Sequence, residues 1–97
     1  METTSPRVRV SADLADLVPR YLNNRHTDLA FARQLLEDRE FVLLAGMAHR
    51  IRGSASSYGF SALGDIATAI ESAAEAQDTQ SIEIQLRALE GFLAAVE

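Results

Sequence analysis

Apolar residues along this chain recur at steps of three and four in separate blocks, and each block reads as one amphipathic helix. Val18, Leu22, Leu29, Ala32 and Leu36 form the first long stripe, which runs to about Asp38. A second holds Leu43, Leu44, Met47, Ala48, Ile51, Ala55 and Tyr58, starts near Glu40 or Phe41 and continues to about Ser57. The third carries Leu63, Ile66, Ala67, Ile70, Ala73 and Ala74 and ends near Gln77; the fourth repeats Ile82, Leu86, Leu89, Leu93 and Val96. Phe41, Phe60 and Phe92 are further core candidates.

The breaks carry helix punctuation. Glu37-Asp38-Arg39-Glu40 interrupts the first stripe, and an acidic residue just before Phe41 sits where a helix N-terminus favours negative charge. Gly59 suits the residue that closes a helix in a left-handed conformation. Ser61 is expected to cap the third helix, and Asp78 or Thr79 the fourth. Upstream, Ser11 or Asp13 can cap a short helix through Leu14 and Leu17, after which Pro19 starts the next helix or kinks a continuous one. Residues 1–10 are polar and mixed and read as a flexible arm. Short loops make consecutive helices antiparallel neighbours, so the expected fold is all-α: an up-and-down four-helix bundle over 11–97, preceded by a short helix or arm.

Composition narrows the function. Ninety-seven residues suffice for one core, and aromatics at 6% suit packing by alanine and leucine. Four helices close such a core, which predicts a monomer, and Met1 favours a standalone protein. The chain has no cysteine, so neither a disulfide framework nor a thiolate metal site is available. Two histidines, His26 and His49, with no His-x-x-x-His pairing carry little metal-ligand signal, and His26 reads as a solvated helix residue. The N-terminus lacks an apolar signal region and no run approaches a membrane span, so the expected location is cytoplasmic. A net charge of −5 argues against nucleic acid as the main ligand. All nine basic residues are arginine, and Arg50 and Arg52 make one part of an acidic molecule locally basic.

That part surrounds His49, which points away from the apolar stripe of its helix and whose surface neighbours are Ala45, Gly46, Arg52 and Gly53, with Ser56 a turn further on. Mid-helix glycines cost about 1 kcal/mol each relative to alanine. Two of them beside one imidazole therefore imply a need for close access, and an anionic adduct on His49 with Arg52 a turn away fits the arrangement. Across the turn, His49 lies ten residues before Gly59 and Glu71 eleven after Phe60. At 1.5 Å per residue both stand roughly 15 to 17 Å down antiparallel helices. Glu71 is therefore level with His49 and able to accept a hydrogen bond from one ring nitrogen, which fixes the tautomer and leaves the other nitrogen as nucleophile. Thr68, one turn earlier, is a further candidate for this network.

The stretch His49-Arg50-Ile51-Arg52-Gly53-Ser54-Ala55-Ser56-Ser57-Tyr58-Gly59-Phe60 resembles the signature of histidine-containing phosphotransfer (HPt) domains of two-component phosphorelays. In that family a His is followed by a Lys three residues on, a Gly immediately after it, a run of small residues and a second Gly closing the helix; here Arg52 takes the place of Lys and keeps the charge. The resemblance implies that His49, through Nε2, accepts a phosphoryl group from a receiver-domain aspartyl phosphate or a kinase and relays it. It also implies that Arg52 steadies the phosphoramidate and that Ala45, Gly46, Arg50, Gly53 and Ser56 meet the receiver domain of a response regulator or hybrid kinase. A glutamate at the offset of Glu71 orients the histidine in the phosphotransfer domains of chemotaxis kinases, which the chain also resembles through Tyr58-Gly59-Phe60. The Mg²⁺ and acidic pocket of such a transfer belong to the receiver, so no cofactor is expected on this chain.

Two other readings compete. The bare patch also suits a helical docking module that binds receiver domains or other signalling proteins without being phosphorylated. A hydrolase using His49 with Ser54 or Ser56 is poor, because Ser56 is two turns away and Ser54 points to the opposite side. The chain has no Gly-rich phosphate loop, so it is expected to be a phosphocarrier and not a kinase.

Overall fold

The computed structural model describes residues 15–96. The expected arm at 1–10 and the cap at Ser11 or Asp13 lie outside them. The described residues form four helices: α1 (Val18–Glu37), α2 (Phe41–Tyr58), α3 (Ser61–Glu75) and α4 (Thr79–Val96). In the antiparallel bundle α1 packs on α2 and α4, and α3 packs on α2 and α4. Pro19 stands in the first turn of α1, where its missing N–H has no intrahelical partner to lose. It starts the helix and does not kink it.

All three connections are the same device. After α2, Gly59 takes φ 78°, its N–H bonds the carbonyl of Ser56 at 3.1 Å, and the N–H of Phe60 bonds that of Ala55 at 2.9 Å. This is the Schellman pattern, which satisfies carbonyls that would otherwise end the helix unpaired. Arg39 (φ 58°) after α1 and Gln77 (φ 55°) after α3 occupy the equivalent position, with the paired bonds Arg39 to Leu36, Glu40 to Leu35, Gln77 to Ala74 and Asp78 to Ala73. The turn shifts one expected cap. Phe60 is the N-cap of α3 and no side chain bonds there, so Ser61 is the first helical residue and does not cap it. Asp78 does cap α4: its Oδ1 accepts from the backbone N–H of Ser81 at 3.1 Å and its Oδ2 from the Ser81 hydroxyl at 2.7 Å. These bonds, the hydroxyl's first, hold the Asp78 carboxyl below its usual range.

The core runs the length of the bundle and is aliphatic, with Leu44, Leu63, Ile82, Leu86 and Leu93 fully enclosed. The stripes of α3 and α4 are buried as expected except for Ile66 and Val96, which are half-buried against it. In α1 the buried set also includes Tyr21 and Leu35. Leu43, expected in the core, is 55% exposed and its neighbour Val42 is 86% exposed. The buried face of α2 is centred on Leu44, Ala48 and Ala55, and Leu43 lies at the margin of that arc. An aromatic cluster closes the Gly59 end: Tyr21 and Tyr58 stack with centroids 4.1 Å apart, Phe60 lies 6.0 Å from Tyr21, and Phe92 meets Phe60 edge-on.

Candidate functional site

The groove between α2 and α3 begins with the pair that helix geometry placed level. His49 is 61% exposed and its Nδ1 lies 3.1 Å from Oε2 of Glu71, whose side chain is 19% exposed. Glu71 follows the buried Ile70 on α3 and precedes Ala73 and Ala74, so its Cβ leaves the helix at the edge of the packed face and the carboxylate reaches across the groove. Arg52, one turn along α2, brings its Nη2 to 2.8 Å from the same Nδ1. Its Nε lies 3.7 Å from the other Glu71 oxygen. Among the described residues, both polar contacts to the ring fall on Nδ1.

From this triad the groove continues towards the Gly59 turn as an open depression of about 440 Å³, lined by Arg52, Ser56, Gly59, Phe60, Ser61, Gly64, Asp65 and Thr68. Small side chains make the space. A Cβ at Gly53 would meet nothing within 4 Å, and at Gly64 it would lie 3.9 Å from the Ala55 Cβ, an ordinary contact. Gly53 and Ser56 are exposed; Ala45 and Gly46 are half-buried. Towards the start of α2, Ala45 lines a second depression with Phe41, Val42, Ala74 and Glu75.

Two expected members stand elsewhere. The Thr68 hydroxyl donates to the Gly64 carbonyl at 2.9 Å and so lines the groove without reaching the ring. Arg50 turns towards α1, where it shares a cleft with Arg25, Asp28 and Ser54, although its Nη1 stays 3.7 Å from where a Gly46 Cβ would be. Sequence reasoning missed the Arg52 contact with Nδ1, which depends on a side-chain rotamer, and it missed Gly64 and Asp65. Spacing offered a signal for those two, since Gly64 lies one turn before Thr68 and seven residues before Glu71. No group of metal-ligating side chains occurs among the described residues, and no described helix is long and apolar enough to cross a membrane.

An exposed imidazole on a helical bundle, tethered through one nitrogen and surrounded by small residues, is suited to carrying a group on the other nitrogen. No curated protein and no solved structure matches the chain. The family model of the Hpt domain matches residues 16–97, nearly the whole chain. The protein therefore belongs to the Hpt domain family, the histidine phosphotransfer modules of phosphorelays.

Proposed function

We propose that His49 is the phosphoacceptor of this Hpt domain and that its Nε2 exchanges a phosphoryl group with the aspartate of a receiver domain. The observation that carries this reading is the 3.1 Å contact between Nδ1 of a largely exposed His49 and Oε2 of the half-buried Glu71. With Nδ1–H donated to the carboxylate, the lone pair is on Nε2. That lone pair attacks phosphorus, the N–P bond forms, and the P–O bond to the receiver aspartate breaks, its electrons leaving with the carboxylate. The Nδ1 proton stays in place, so no general base is required. As the ring acquires positive charge, its bond to the Glu71 carboxylate, already charge-assisted through the acceptor, gains a charged donor as well and strengthens. The reverse transfer follows the same path.

The proposed partner surface is the open groove with Arg52, Gly53 and Ser56, together with the Ala45 and Gly46 side of the helix; Arg50, turned towards α1, is at its margin. In this reading the domain is a monomeric carrier of a cytoplasmic, bacterial-type relay, and ATP chemistry belongs to a kinase partner.

The test is transfer from a receiver domain phosphorylated with labelled phosphate. Label that moves to this chain, is acid-labile and alkali-stable, and disappears in His49→Gln supports the carrier. A receiver that binds the chain while all label stays on its aspartate overturns it in favour of a docking module.

A further inference from the structure

We propose that Arg52 and Glu71 compete for Nδ1 of His49, so that the resting domain holds its imidazole in two tautomers of which only one is nucleophilic. The proposal rests on His49 being the phosphoacceptor and adds how that nitrogen is switched on.

The two contacts are mutually exclusive as hydrogen bonds. Nη2 of Arg52 lies 2.8 Å from Nδ1 and Oε2 of Glu71 lies 3.1 Å from it, both within bonding range. A guanidinium can only donate and an ionised carboxylate can only accept. Nδ1 of a neutral ring is either a donor or an acceptor. If Nδ1 carries the proton, Glu71 is satisfied and the Arg52 N–H faces another N–H. If it carries the lone pair, Arg52 is satisfied and the carboxylate faces that lone pair.

The consequence falls on the far nitrogen. With Glu71 as partner, Nε2 has its lone pair and can attack phosphorus. With Arg52 as partner, the single ring proton sits on Nε2 and blocks attack. Passage between the states moves one proton from one nitrogen to the other through solvent, with no change of net charge. Arg52 is 44% exposed and its Nε reaches Glu71 Oε1 only at 3.7 Å, a long and solvent-screened pair, whereas Glu71 is 19% exposed, so the arginine is the partner more readily displaced. An incoming phosphoryl group offers it anionic oxygens in exchange for a neutral nitrogen, the stronger kind of partner. Departure of Arg52 returns Nδ1 to Glu71 and frees Nε2. Arg52 is thus a positioning residue through which the charge of the substrate unmasks the nucleophile.

Tautomer populations are read directly from the ¹⁵N shifts of His49 in the whole chain at about pH 8.5, some two units above the ordinary histidine pKa. Arg52→Met keeps the aliphatic stem and removes the donor. It is expected to raise the ratio of Nδ1–H to Nε2–H about fivefold, the factor that one net hydrogen bond is worth. Glu71→Ala is expected to lower the ratio, and titration of the wild type with inorganic phosphate to raise it while leaving Arg52→Met unmoved. A ratio identical in wild type and Arg52→Met overturns the proposal. Phosphoryl transfer is scored separately: transfer with an insensitive ratio refutes the competition alone, whereas a responsive ratio without transfer refutes the carrier reading alone.

Discussion

Helix α2 has two polar flanks of similar composition, and the bundle treats them in opposite ways. On the α1 side, the Ser54 hydroxyl donates to the Ile51 carbonyl at 3.1 Å, which makes the Tyr21 hydroxyl the donor of their 2.8 Å bond. Arg25 covers the Tyr21 ring at 4.5 Å and pairs with Asp28 at 2.9 Å. On the α3 side, Ser56 and Arg52 stand over an open groove beside an exposed His49. Each flank carries a serine and an arginine of α2, Ser54 with Arg50 towards α1 and Ser56 with Arg52 towards α3, and the cleft beside the first pair, about 280 Å³, is smaller than the groove beside the second, about 440 Å³. What differs is the bulk facing them, an aromatic ring on one side and Gly64 and Thr68 on the other. Residue type alone therefore does not assign these positions to packing or to access; the volume across the interface does.

The largest effect that tests this division comes from the aromatic cluster, which backs the closed flank through Tyr21 and forms a wall of the open groove through Phe60. Phe60 is 2% exposed and lies within stacking distance of Tyr21 and Tyr58. Phe60→Ala is expected to destabilise the domain by about 3–5 kcal/mol, a large share of the 5–15 kcal/mol typical of a small domain. Urea unfolding measures it. A shift under about 1 kcal/mol would mean that the cluster collapses around the loss and is not a fixed wall.

The site and the fold differed in legibility for physical reasons. Glu71 was readable because helix rise is constant: equal residue counts on either side of a tight turn place two side chains level whatever their types. The Gly59 turn was readable because glycine takes positive φ without a steric cost. The same turn at Arg39 and Gln77 was hidden, since neither residue type favours the left-handed region that both occupy. Leu43 was misplaced because α2 carries more apolar residues than its buried arc can hold, leaving Val42 and Leu43 outside. The contact of Arg52 with Nδ1 has no trace in spacing. A side chain three residues from His49 can also point along the groove or into solvent.

A smaller effect separates the hydroxyl of the closed flank from its ring. Tyr21→Phe keeps the stack on Tyr58 and removes one donor to Ser54, which still donates to the Ile51 carbonyl and accepts from Arg25 Nη1 at 3.5 Å. The expected loss is about 1 kcal/mol, with phosphoryl transfer unchanged, because nothing in this contact reaches the open side. Loss of transfer at unchanged stability would join the two flanks functionally and break the comparison.

The smallest change in stability is the sharpest probe of the open flank. Gly53 and Gly91 are both exposed mid-helix glycines, and an added Cβ at either meets nothing within 4 Å. Alanine at each is expected to raise stability by roughly 0.5–1 kcal/mol through helix propensity alone. Of the two, only Gly53 belongs to the proposed partner surface, one turn from His49. Gly53→Ala is therefore expected to weaken receiver binding about tenfold or more, the size of a clash worth about 1.4 kcal/mol, while Gly91→Ala leaves it unchanged. Calorimetric titration with a receiver domain, alongside urea midpoints, reads both quantities on the same samples. Equal affinity in the two variants would show that the space beside His49 is not occupied by the partner, since nothing within this chain contacts a Cβ added at Gly53.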